Sequence, residues 1–146
     1  MDHDTDLPRS RLAAVVFDLL DPIPYGFFVA ALIFDVVYDS TAIVLWFKAA
    51  AWLIAVGLLF AILPRLIDLV RVWFPGRRTR APSALAAFWL NLVAILAAIC
   101  NAFVHSRDAY GVMPEGLWLS ILTIACLVLA KVIGAVQQRV TVRLQS

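Results

Sequence analysis

The sequence predicts an all-α membrane protein, a four-transmembrane-helix bundle preceded by a short N-terminal interfacial amphipathic helix. Three observations predict it. Of 146 residues, 64% are hydrophobic and 15% charged, against roughly 45–50% and about 25% in an ordinary soluble domain. The mean hydropathy of +0.93 is spread along most of the chain, which implies several crossings instead of one anchor. Four stretches suit helices that cross roughly 30 Å of hydrocarbon, where each backbone polar group must be satisfied within the segment.

The tail and first helix occupy residues 1–21. From Arg9 to Leu20, apolar Leu12, Val15, Val16 and Leu19 recur at helical spacing, with Arg9, Arg11 and Asp18 elsewhere. This pattern suits a helix lying in the interface, or alternatively one that binds a partner. The acidic start Met1-Asp2-His3-Asp4-Thr5-Asp6 and the absence of a small-residue cleavage site argue against a signal peptide, so the first crossing is expected to be its own insertion signal.

The transmembrane domain is expected over 22–140, with spans at about 22–38, 41–73, 82–104 and 116–136 and a cytoplasmic tail at 141–146. Asp21-Pro22-Ile23-Pro24 turns the chain into the first span, because proline disfavours helical geometry in the residue before it. Tyr38-Asp39-Ser40-Thr41 reads as a tight hairpin that supplies an N-cap to the second helix. In that helix Trp46 and Trp73 stand where interfacial aromatics sit, and Pro64 frees a carbonyl one turn earlier. The loop from Pro75 to Pro82 places proline at the start of the third helix. The uncharged run from Pro82 to Val104 forms that helix, and residues 105–115, with Gly111 and Pro114, separate it from the fourth. The fourth span is uncharged as far as Lys131, whose stem can carry its ammonium to a nearby interface.

Cation placement predicts orientation. With both termini inside, Arg9, Arg11, Arg65, Arg71, Arg77, Arg78, Arg80, Lys131, Arg139 and Arg143 are cytoplasmic, and Lys48 and Arg107 are outside. Provided the number of spans is even, this asymmetry predicts that both termini are cytoplasmic. A net charge of +2, scattered along the chain, excludes a nucleic-acid surface.

In lipid, helices associate through small residues and a few hydrogen bonds, since apolar burial gives no drive. The third span carries Ala84, Ala87, Asn91, Ala94, Ala98, Asn101 and His105 at alternating steps of three and four. The fourth carries Gly116, Ser120, Thr123, Leu127, Ala130, Gly134 and Gln137 in the same rhythm. Both stripes are expected to face the bundle interior as packing seams.

Asp35 and Asp68 are the demanding residues, because an ionised carboxylate at a helix centre costs about 2.5–3.5 kcal/mol on insertion scales. Lys48 is the expected partner of Asp35 across the hairpin, and Arg65 of Asp68 on one helix face. Two readings stand open: stabilising charge pairs near opposite interfaces, or a carboxylate that titrates, relays protons or binds a cation. Cys100 and Cys126 lie in apolar runs and read as free thiols. Among motif-borne chemistry sets, neither a phosphate loop, a zinc-protease run nor a nucleophile elbow is present, so no catalytic residue and no metal ligand is assigned.

The run Phe27 to Tyr38, with Asp35 in it, resembles the opening helix of the domain-of-unknown-function 2231 family of small bacterial inner-membrane proteins. The stretch Ala49 to Trp52, through Gly57 to Pro64 and Leu66-Ile67-Asp68-Leu69, resembles that family's second helix, and Leu90-Asn91-Leu92 its third. The likeness covers roughly 22–140. It implies four crossings, no established activity, and for some members an association with redox modules. This chain departs from the family in having Asp21-Pro22 and Ile23-Pro24 where His-Pro is common, and Arg65 where glycine usually follows the proline.

The functional expectation is a non-enzymatic subunit or scaffold for a membrane or redox complex, with lipid and either a second copy or another membrane protein as partners. No cofactor is assigned. One alternative is a quinone- or haem-associated electron-transfer anchor, with Asn91, Asn101 and His105 as candidate cofactor-binding residues, although a haem between helices usually needs two axial ligands. Another is a small proton-coupled carrier or channel using Asp35 or Asp68.

Overall fold

The computed structural model describes residues 19–73 and 82–145, with side chains described at 19–63, 85–109, 111–137 and 139–140. The expected interfacial helix lies outside the described residues except for Leu19 and Leu20, which are helical. Four long helices follow: α1 (Ile23–Thr41), α2 (Val44–Trp73), α3 (Pro82–His105) and α4 (Glu115–Gln145). All four are long and apolar enough to cross a membrane, and no strand occurs among the described residues.

Prolines punctuate the starts. Pro22 precedes α1 and Pro24 stands in its first turn, where the missing N–H removes no helical bond. Pro82 opens α3 in the same way. In α4, the first N–H groups find carbonyls in the preceding loop, Gly116 N–H donating to Val112 O and Trp118 N–H to Pro114 O.

The junction between α1 and α2 differs from the sequence expectation. Instead of breaking at Tyr38, α1 continues to Thr41 because the hydroxyls of Ser40 and Thr41 donate back to Val37 O at 2.9 and 2.7 Å. The turn then falls on Ala42, at φ 55°, whose N–H donates to Tyr38 O. This left-handed closure leaves only two residues, Ala42 and Ile43, between the helices.

α2 has 30 residues and continues to Trp73, past the uncharged run that ends at Pro64. A helix of that length measures about 45 Å and outruns the hydrocarbon thickness, so its far end leaves the apolar layer. Likewise α4 passes the expected end at 136 and continues to Gln145. Gln and Arg are good helix formers, so hydrogen bonding carries the helix on after hydropathy has fallen.

α1 packs mainly on α2 and α3 mainly on α4, with smaller contacts between α2 and α3 and between α1 and α4. The shared core consists of Phe28, Ala31, Ile54, Leu58, Ala61, Ala94, Ile95, Ala98, Cys126 and Leu127. Close approach of α1 and α2 is set at Gly57, where an added Cβ would stand 3.1 Å from Phe27 Cβ and 3.2 Å from Phe28 Cε1. Large apolar residues point outward on every helix, among them Ile33, Trp52, Leu96 and Leu129. Inward-facing Ala31, Ala61, Ala94 and Ala98 let the helices approach, as packing in lipid requires.

A non-glycine residue in the left-handed region costs about 1–2 kcal/mol, while glycine costs the unfolded chain about 0.4–1 kcal/mol in extra entropy. Ala42→Gly should therefore stabilise the protein by about 0.5–1 kcal/mol, read as a later midpoint when folded protein in mixed micelles is titrated with a denaturing detergent.

Candidate functional site: a buried carboxylate clasp

The inward face of α1 follows Pro24, Phe28, Ala31, Asp35 and Tyr38, at alternating steps of four and three. Asp35 thus lies on the packing stripe of its helix and is 0% exposed. On α3, Asn91, Ala94, Ala98, Asn101 and His105 are buried and Ala87 is half-buried; Ala84 lies outside the described side chains. On α4, Gly116, Ser120, Thr123, Leu127 and Ala130 are buried, and Gly134 and Gln137 half-buried. Three inward faces consequently meet around one carboxylate.

The Asp35 carboxylate is held by two helices at once. Its Oδ1 stands 2.8 Å from His105 Nε2, and its Oδ2 accepts from Ser120 Oγ at 2.5 Å. Asn101 Nδ2 donates to Ser120 Oγ at 2.7 Å. His105 Nδ1 lies 3.0 Å from the carbonyl of Asn101, one turn back in α3. The Phe47 ring of α2 stacks on the imidazole, with centroids 5.4 Å apart and planes 11° from parallel. Gly116 supplies room at the other side, since a Cβ there would stand 2.9 Å from His105 Cε1 and 2.8 Å from Val112 Cγ1. All four helices therefore contribute to the site.

A roof closes it at the end where α3 meets α4. Tyr38, Phe47, Ala109 and Val112 form a second apolar cluster, flanked by Trp46, Val104 and Met113. Tyr38 Oη donates to Ala109 O at 2.8 Å, tying the short helical turn Ala109–Gly111 to α1. On the opposite side of the clasp lies the main core.

The donors and acceptors of the clasp constrain its protons. A carbonyl only accepts, so the contact between Nδ1 and Asn101 O requires a proton on Nδ1. Serine has one O–H, and giving it to Asp35 leaves its oxygen to accept from the Asn101 amide N–H, with Asn101 Oδ1 buried and without a partner. One proton then remains for the contact between Nε2 and Oδ1. Placed on nitrogen it makes an imidazolium–carboxylate pair, and placed on oxygen a neutral imidazole and carboxylic acid. The pair is neutral overall in either form, so the site avoids the large cost of an isolated buried charge. The order of groups also matters. Ser120 touches the carboxylate, whereas activation of a serine nucleophile needs its hydroxyl on the imidazole.

Asp35 was expected to face Lys48, and here the structure differs: the carboxylate meets His105 and Ser120, and Lys48 is exposed. The reason is helical rotation. Phe47 points inward onto His105, and the next residue is turned about 100° away. The side chains of Arg65 and Asp68 lie outside the described residues, and so does their expected pairing. Lys131 pairs with Asp21 and sits 5.1 Å from the Tyr25 ring centroid, tying the chain just before α1 to α4.

Of the candidate cofactor residues, Asn101 and His105 meet in the clasp and Asn91 lies apart from them. Asn91 Nδ2 donates to Ala87 O within α3, and ten residues of helix, about 15 Å, separate Asn91 from Asn101. Both nitrogens of His105 are engaged, so axial ligation of a haem iron would require breaking one of these contacts. A separate open apolar cleft of about 220 Å³ is lined by Ile23, Gly26, Phe27, Ala30 and Leu53, without any of these polar groups. Tyr38 and Phe47 escaped sequence reasoning as site residues. The alternating step that joins Asp35 to Phe28 and Ala31 is the signal that places Asp35 and Tyr38 on one inward face.

No protein-family model, curated protein or solved structure matches this chain.

Asp35→Ala should strand His105 Nε2 and Ser120 Oγ and destabilise the fold by about 2–4 kcal/mol. Asp35→Asn should lose much less, because the amide N–H can donate to Nε2 and the amide oxygen can accept from Ser120. Detergent-denaturation midpoints of both variants check the difference.

Proposed function

We propose that this chain is a non-enzymatic, multi-pass inner-membrane subunit or scaffold, folded in the bilayer as a four-helix bundle with its N-terminal helix in the cytoplasmic interface. The single observation that carries this reading is how the clasp uses its chemistry. Asp35, His105, Ser120 and the Asn101 amide N–H spend their hydrogen bonds on one another under an apolar roof. Such an arrangement fixes helix register and leaves the lateral surface, rich in large apolar residues, to lipid and to another membrane protein or a second copy.

Orientation is part of the proposal, supported by ten cations on the side of the termini against two on the side of the α1–α2 and α3–α4 connections. On that reading the clasp lies towards the outer face and the Asp21–Lys131 pair towards the cytoplasm. Kinship with the domain-of-unknown-function 2231 family also belongs here; the runs around Asp35 and from Ala49 to Asp68 support it.

Two measurements test the reading. Reporter fusions at each terminus should both signal from the cytoplasm, and a split result would reverse the orientation. Native mass spectrometry of protein extracted gently from its own membrane should show a stoichiometric assembly with a second membrane protein or a second copy. A strictly monomeric species that retains haem or quinone would replace the scaffold with an electron-transfer anchor.

A further inference from the structure

We propose that Asp35 and His105 form one proton-binding site, holding a single transferable proton between Oδ1 and Nε2, which exchanges with water only beneath the loop 106–114. The inference rests on the geometry of the clasp and is independent of any scaffold role.

With Nδ1–H committed to Asn101 O and the serine O–H committed to Oδ2, the 2.8 Å contact holds one proton. Movement of that proton converts Oδ1–H···Nε2 into Oδ1···H–Nε2 and changes neither the electron count nor the total charge. Removing it would set two acceptors head-on with a buried negative charge, and adding another would set two donors head-on.

Access is one-sided for a physical reason. Towards the far end the space is filled by Ala31, Ala94, Ala98, Cys126 and Leu127, and Asp21 is fourteen residues along the chain from Asp35. Towards the near end, His105 is the last residue of α3, and its cover is Ala109 and Val112, held by the hydrogen bond from Tyr38. Among the described residues, no other titratable side chain faces the pair from α2 or α4, which present Phe47, Gly116 and Ser120. Arg107, Asp108 and Glu115 are exposed beyond the roof, and Arg107 approaches Glu115 at 4.0 Å.

The sequence contains only two histidines, His3 and His105. In a His3→Gln background, nitrogen-15 spectra of the full-length protein in lipid bilayers report His105 alone. The expected result is a protonated Nδ1 and a strongly downfield proton correlated with Nε2, the latter signal lost on Asp35→Asn. Its exchange with deuterium should accelerate roughly 2- to 10-fold on Tyr38→Phe, the loss of one buried hydrogen bond. Val112→Ala, which thins the roof without touching that bond, should act in the same direction, and Lys131→Met at the opposite end should leave exchange unchanged. A bare Nε2 in the unaltered histidine–aspartate pair would overturn the shared proton. Exchange that responds to Lys131→Met but to neither roof variant would overturn the one-sided access. Failure to find an assembly partner would overturn the scaffold reading and leave these outcomes intact.

Discussion

The buried carboxylate of Asp35 is the constraint around which the rest of this end of the protein is arranged. A carboxylate wholly removed from solvent must be matched by donors or by a proton, because neither lipid nor the apolar core supplies them. The match comes from two other helices, through His105 and Ser120. That requirement fixes the rotation of α1, α3 and α4 together. Phe47 then stacks on the imidazole, and the lack of a side chain at Gly116 lets α4 approach it.

The clasp also supplies what apolar packing lacks. α1 with α2 and α3 with α4 form the larger contacts, and the halves meet over smaller ones. In a lipid environment the inward and outward faces are both apolar, so sliding or rotating one half against the other has little hydrophobic cost. Directional bonds across the boundary set the register. Asp35 reaches His105 and Ser120 near one end, and Asp21 reaches Lys131 near the other. From Asp21 to Asp35 the chain ascends α1, and from Lys131 to Ser120 it runs back along α4, so the two ties hold these helices antiparallel.

The same groups define the chemistry available. Aspartate, histidine and serine are the components of a familiar nucleophilic set, yet here the carboxylate stands between the other two. The serine hydroxyl is consumed in holding the carboxylate, and the imidazole uses its second nitrogen on its own helix. What remains is the contact between Nε2 and Oδ1, one proton within a pair that is neutral overall. Interfaces built this way combine directional strength with the absence of net buried charge, which suits a helix joint inside a membrane.

Much of the architecture is legible without coordinates. Hydropathy alone marks the four apolar spans, because spanning length follows from the thickness of hydrocarbon and internal backbone bonding. The alternating three- and four-residue steps from Asn91 to His105 and from Gly116 to Ala130 trace faces that are buried in the structure, since small and polar residues mark where helices touch in lipid. Helix ends were less legible: the back-bonding hydroxyls of Ser40 and Thr41 moved the first turn to Ala42. The partner of Asp35 was decided by tertiary structure alone. Along the chain Lys48 is thirteen residues away and His105 seventy, but proximity in sequence does not set which faces meet. Rotation about α2 sends Phe47 inward and Lys48 outward, and the packing of α3 and α4 on α1 brings histidine and serine to the carboxylate.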